Sequence, residues 1–184
     1  MKEYLDVVNE NDQVARQEEV EHVHQNGLLH RSVHAFIVDS QGRLFCRQRK
    51  LDSPRYPGYW STSIGAHVPS GETYNNAVRQ ALQDTLGIDC PLRLLGKVRI
   101  HDRVENEWNA IYIGHSDDAF EINTQRIEGG KFFAIQEIID LIARKKVTPH
   151  LIEALKLYQD KKHILSLPSK LSKLKNNKKQ PKVT

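Results

Sequence analysis

Residues 65–88, GAHVPSGETYNNAVRQALQDTLGI, carry the most chemically pointed spacing in the chain. A glycine-containing turn ends at Gly71-Glu72, an amphipathic helical pattern carries Asp84, and Gly87-Ile88 stops it. Two further acids, Glu105 and Glu107, stand two apart in a β-rich stretch, which puts both on one face of a strand. Same-face carboxylates invite a cation, and oxygen ligands suit hard divalent ions. Arg49 and Arg55 have guanidinium forks that match phosphate oxygens. Ordinary surface charge is the plainer alternative for both. Among nine histidines, His67 lies in the glycine-containing turn beside these groups, while His24 and His30 precede the first long strand. A helix end and a strand edge are the structural alternatives for His24 and His30. His22, His34, His101, His115, His150 and His163 read as surface residues.

The elements that must position these groups follow from periodicity. HRSVHAFIVD (30–39) and RLFCRQR (43–49) alternate as strands, joined by a hairpin turn at Ser40-Gln41-Gly42. Residues 1–15 read as a short strand and turn, and residues 17–26 as a helix that ends at Gly27. Pro54, Pro57 and Gly58 mark a loop, and Trp60 to Val68 is extended. Over residues 73–86, Tyr74, Ala77, Val78, Ala81, Leu82 and Leu86 recur near one helical face. LRLLGKVRIHD and EWNAIYIGHS predict two more strands, and a short one ends near residues 131–135. Helices over 136–145 and 148–160 close the pattern, the second preceded by Thr148-Pro149. A mixed sheet between helices accommodates this order, an α/β/α sandwich.

Residues 65–88 resemble the Nudix box, G-x5-E-x7-R-E-U-x-E-E-x-G-U with U aliphatic. Counted back from Gly87-Ile88, Glu72 takes the early glutamate, Leu82 the aliphatic position, and Asp84 and Thr85 the acidic pair. Gln80 and Ala81 stand in place of the Arg-Glu pair, so the frame matches while part of its acid set is replaced. The resemblance implies a Nudix-type domain over residues 1–160 that cleaves a diphosphate bond in a small X-linked diphosphate, nucleotide-derived substrates included. It also implies a need for Mg²⁺ or Mn²⁺, since hard cations neutralise phosphate charge and activate water. Glu72, Asp84 and Glu107 are its catalytic candidates, and Glu107 is the better one because a lone helix carboxylate cannot build a multi-metal cluster.

The chain is similar in particular to the isopentenyl diphosphate isomerase branch and to isomerase-like Nudix hydrolases. Matching features are H-x-x-G-L-L-H-R, His67 in its turn, Pro57-Gly58 and Trp60 as P-G-x-W, and Glu105-Asn106-Glu107. That resemblance implies a metal set of His24, His30, His67, Glu105 and Glu107, with Asp84 as a further candidate. Imidazoles with carboxylates also admit Zn²⁺. Arg49 matches a diphosphate-holding position; a second such arginine falls at Ala81. The isomerase cysteine falls at Gly65, which cannot transfer a proton. A divergent isomerase and a catalytically silent binding module are therefore the alternative expectations.

Composition sets the remaining bounds. A 39% hydrophobic and 27% charged chain fits a soluble domain, and no apolar run is long enough to span a membrane. The N-terminus lacks an apolar signal core, and Cys46 and Cys90 form no Cys-x-x-Cys pair. Two free thiols in the cytoplasm are the expectation. Residues 161–184 contain eight lysines and no acid, and removing them from the chain's +4 leaves residues 1–160 at −4. This basic tail is expected to be disordered, with weak contact to nucleic acid or anionic lipid. The oligomeric state has no signature in the sequence.

Overall fold

The computed structural model describes the backbone of residues 2–165 and side chains up to Lys161. It opens with strands β1 (Tyr4–Val8) and β2 (Val14–Glu19), an antiparallel hairpin that forms its own two-stranded sheet. Helix α1 (Val20–Gln25) follows at once, so the helix expected over 17–26 starts later and its first residues extend the hairpin. Glu18 and Glu19 pair with Leu5 and Tyr4, and that strand register wins over helix propensity. Leu5, Val7 and Val23 make a small core between hairpin and helix.

The main sheet has the order β5 (Trp60–Ser61), β4 (Leu44–Arg49), β3 (His30–Val38), β8 (Asn106–His115), β7 (Arg93–His101). Strand β6 (Ile64–His67) pairs with β3, and β9 (Ile127–Phe133) pairs with β4. The segment 60–68, expected as one extended piece, is thus two short strands on different partners. β3 and β8 run parallel, which sets His30 opposite Glu107 and Ser32 opposite Asn109. β6 is antiparallel to β3 and sets His67 beside Ser32 and Gly65 beside His34. β3 meets β4 at one register position, Val38↔Leu44; beyond it the two strands are joined to different neighbours.

Alternate residues of β3 feed two cores. Val33, Ala35 and Ile37 pack with Ala77, Val78, Ala81 and Leu82 of α2 (Tyr74–Leu86). Phe36 and Val38 pack with Ile138 of α3 (Ile135–Ala143) and Leu151 and Leu155 of α4 (Pro149–Leu165). The architecture is a mixed sheet with helices on both faces, as expected. Ala81 is part of the apolar stripe of α2 rather than a ligand position. Thr73 caps α2 by accepting from the Asn76 N–H at 3.2 Å, and Gly87 ends it in the left-handed region at φ 68°. Helix α4 runs to Leu165, past the boundary expected at residue 160, and the Lys161 ammonium donates to the Leu95 carbonyl. The rest of the lysine-rich tail lies outside the described residues, as does the side chain of His163. Cys46 and Cys90 are free thiols, each buried in a different core. Among the described residues no helix is long and apolar enough to cross a membrane.

Candidate functional site

Two neighbouring segments and a third, distant in sequence, deliver imidazoles to one cluster. His24 comes from α1, His30 opens β3 and His67 ends β6. Their ring centroids lie 4.9, 4.9 and 5.1 Å apart. Each of the three offers a nitrogen within 4.8 Å of the others, and His30 is likewise grouped with Glu105 and Glu107. His30 Nε2 stands 3.3 Å and His67 Nε2 3.8 Å from Glu107 Oε1, while His24 Nδ1 stands 3.8 Å from Glu105 Oε2. The hairpin closes over one side, tied down by Asp6, which accepts from Ser70 Oγ at 2.6 Å and from the Gly71 N–H at 3.1 Å.

Hydrogen bonding orients this cluster toward a cation. His30 Nδ1 donates to the Leu28 carbonyl at 2.9 Å, since a carbonyl can only accept. In a neutral ring that leaves the Nε2 lone pair facing a carboxylate, an arrangement a proton or a metal ion must mediate. The contact to Glu107 lacks hydrogen-bond geometry, and His30 Nε2, His24 Nε2 and Glu105 Oε2 are buried without a hydrogen-bond partner. Buried polar atoms are normally paired. Nitrogen and oxygen orphans converging on one point fit a divalent ion.

The titration directions of His24 and His67 agree. Burial, then the charges of Arg55 and His30, lower His24 to about 4. Burial, then neighbouring His30 and His24, lower His67 to about 3. Both rings are therefore neutral at pH 7 and keep lone pairs for ligation. Burial opposes charge on His30, but the adjacent Glu107 carboxylate outweighs it and raises its pKa. Burial, then the Glu107 charge, raise Glu105 to about 7, with Arg55 opposing at 2.9 Å from Oε1. Burial also opposes ionisation of Glu107, yet the His150 and His30 contacts hold it well below the usual carboxylate range.

Glu107 is 2% exposed, and its Oε2 accepts from His150 Nε2 at 2.9 Å and Asn109 Nδ2 at 3.0 Å, while Ser32 Oγ donates its one hydrogen to Asn109 Oδ1 at 2.5 Å. Two donors hold this oxygen and leave Oε1 to face the imidazoles. A carboxylate pinned in this way is a poor base and a good ligand.

His150 and His34 were expected at the surface, and both are buried at the site. Their rings stack at 4.4 Å and 16°. Thr62 Oγ1 donates to the Ile64 carbonyl, so it accepts from His34 Nδ1 at 2.7 Å. His34, Glu107 and His150 also lie close enough to suggest an ion. Near-parallel rings, however, hold their in-plane lone pairs in separate planes, and one nitrogen of each already donates. The alternation of His30, Ser32 and His34 along β3 was a usable signal for His34. His150 carries no such mark, because only the docking of α4 brings it to Glu107.

A cavity of about 510 Å³ opens from this cluster toward α2 and is lined by Arg47, Arg49, Arg55 and Arg126 as well as Glu105, Glu107 and Asp84. Arg49 donates to the Arg55 carbonyl at 3.0 Å and to Ser53 Oγ at 2.8 Å. The structure does not bring Asp84 to the histidine cluster. Asp84 accepts from Gln80 at 2.6 Å and pairs with Arg126 at 2.8 Å on the cavity wall. Glu72 is exposed, outside that lining, and accepts from Asn76 Nδ2 at 3.0 Å.

Comparison with known proteins bears on this geometry. The NUDIX domain model matches residues 28–158. The isopentenyl-diphosphate Delta-isomerase of Serratia proteamaculans is 30% identical over 149 residues, covering 78% of this chain and 83% of that protein. An uncharacterized Nudix hydrolase of Pseudomonas aeruginosa, PA4841, is 28% identical over 137 residues, covering 74% and 81%. The crystal structure of DR0079 from Deinococcus radiodurans superposes with a TM-score of 0.71 at 26% identity, covering 84% of this chain and 98% of that one.

Proposed function

Since the chain belongs to the NUDIX domain family, in its isopentenyl diphosphate isomerase-like branch, we propose that it is a divalent-metal-dependent hydrolase that cleaves a diphosphate bond in a small X-linked diphosphate. The observation that carries this reading is the cluster of His24, His30 and His67, with Glu105 and Glu107 grouped on His30, beside an arginine-lined cavity that His67, Glu105 and Glu107 reach. These five residues would hold the ion. Three imidazoles with two carboxylates favour Mn²⁺ or Zn²⁺ over Mg²⁺, which prefers an all-oxygen shell and enters such sites with phosphates. When bound, the ion supplies charge neutralisation of the phosphates and activation of water.

The chain's own groups do the rest. Arg49 and Arg55 hold phosphate oxygens by charge-assisted hydrogen bonds. Arg55 also fixes Glu105 from the far side. His150 and Asn109 orient Glu107, and Ser32 holds Asn109 in place, as partners of ligands do in metal sites. Asp84 with Arg126 forms the opposite wall and orients the substrate.

The isomerase alternative is favoured by the similarity to the Serratia protein and opposed by residue 65. A Cβ built on Gly65 would stand 2.5 Å from His34 Cε1 and 2.7 Å from Arg47 Nη2, so a side chain there needs both to move. The test is product release from nucleoside di- and triphosphates, nucleotide sugars, dinucleotides and isopentenyl diphosphate, with Mn²⁺, Mg²⁺ or Zn²⁺. Cleavage of one class that disappears in Glu107→Gln is expected. Deuterium scrambling into isopentenyl diphosphate without phosphate release would replace the hydrolase reading with the isomerase one. Ligand-induced thermal stabilisation without any turnover would replace it with a binding module.

A further inference from the structure

Arg47 is 4% exposed, yet it has no acidic partner among the described residues. Its one hydrogen bond runs from Nη1 to the Gly65 carbonyl at 3.3 Å. Arg49 lies two residues along β4, on the same face, and its own hydrogen bonds go to the neutral oxygens of Arg55 and Ser53. Two adjacent guanidinium groups therefore share one wall of the cavity; the charges of Glu105 and Glu107 reach Arg49, and no acid pairs with Arg47 among the described residues. Burial and the Arg49 charge lower Arg47 to about 9, so it is still a cation at pH 7. Desolvation and repulsion both oppose this arrangement. A buried, unpaired guanidinium facing a cavity is the complement of an anion that arrives from outside.

We propose that Arg47 forms, with Arg49, a phosphoryl subsite in the cavity, and that Gly65 is the residue that makes room for it. Arg47 Nη2 lies 2.7 Å from where a Cβ of residue 65 would be, so any larger residue displaces the guanidinium or the His34 ring behind it. A planar fork binds phosphoryl oxygens in pairs, and Arg49 adds a second donor set beside it. The assignment of the anion as part of a cleaved diphosphate rests on the hydrolase reading; the anion site itself does not.

The test uses the full chain with inorganic diphosphate as the probe, titrated calorimetrically with and without Mn²⁺. Arg47→Gln should weaken diphosphate binding about tenfold or more, as expected for loss of a charge-assisted contact. Its Mn²⁺ content should match wild type. Without anion its melting temperature should equal or exceed wild type, because an unpaired buried charge is gone; an arginine with a purely structural role would lower it. Gly65→Ala leaves the charge in place and crowds it, and should weaken diphosphate binding with Mn²⁺ content retained. Wild-type affinity in both variants, or no diphosphate binding by the wild-type protein, would overturn the subsite. Arg47-dependent binding in a protein that hydrolyses nothing would sink the hydrolase reading and leave the subsite standing. Turnover with an unchanged KM in Arg47→Gln would do the reverse.

Discussion

Replacing Glu107 by Gln should uncouple the fold from the metal ion, and the amide orientation can be worked out in advance. Glu107 Oε2 accepts from His150 and Asn109. An NH₂ group there would face donors, so the carbonyl of Gln must take that side. Its NH₂ then replaces Oε1 and points at His30 Nε2 and His67 Nε2, at 3.3 and 3.8 Å in the wild-type site. The variant loses one anionic ligand and sets an NH₂ group against the imidazole nitrogens in place of a lone pair. An affinity loss of at least ~100-fold follows, about 2.7 kcal/mol. At an ion concentration of 100 wild-type Kd, wild type gains about 2.7 kcal/mol, while the variant, then near its own Kd, gains only ~0.4 kcal/mol. At roughly 2–4 °C per kcal/mol for a domain this size, Mn²⁺ should raise the wild-type Tm by about 5–11 °C and the variant by about 1 °C. Without metal the two should differ by less than about 4 °C, because the lost charge-assisted bonds are offset by relief of a buried carboxylate. Differential scanning calorimetry across a Mn²⁺ series reads all three quantities. Equal metal stabilisation of both proteins would refute Glu107 as a ligand, and with it the five-donor centre.

Other outcomes follow from particular contacts. Glu72→Gln should change turnover less than about twofold in a release assay, since Glu72 is exposed, outside the cavity lining, and a surface change of this kind is energetically small. Asp12 pairs with Arg31 at 2.6 Å, contacts Lys97 and accepts from Tyr74 at 3.0 Å. Burial opposes its ionisation, but Lys97, Arg31 and Tyr74 together lower its pKa below 3.8. A carboxylate lowered on folding adds stability above its unfolded pKa and loses it as pH falls through the folded value. Asp12→Asn should therefore cost about 1 kcal/mol near pH 7, discounted for partial exposure, and thermal melts should show the gap to wild type closing below pH 3.8. Gly130→Ala would place a Cβ 2.4 Å from Phe45 Cζ and 2.9 Å from the Cys46 carbonyl oxygen. Overpacking of this kind should cost roughly 1–3 kcal/mol in urea unfolding, and a cost of zero would show that the β4–β9 contact is looser than described.

Local patterns in the chain carry much of the architecture. The alternation of β3, the apolar stripe of α2 and the glycine stop at Gly87 are legible because their periods depend on near neighbours alone. The types and order of His24, His30, His67, Glu105 and Glu107 were readable too, although only through likeness to a family. Which of them meet was decided elsewhere. The parallel register of β3 with β8 brings His30 opposite Glu107 across a gap that no short window spans. The docking of α4 supplies His150, and α2 turns Asp84 toward Arg126 rather than toward the imidazoles. Arg47 shows the division most plainly. In the sequence it is one arginine of a charged strand, indistinguishable from Arg43, which the fold pairs with Asp39 at 2.6 Å. Burial and the lack of an acidic partner are properties of neighbours in space, and only the tertiary structure leaves Arg47 a cation without an anion.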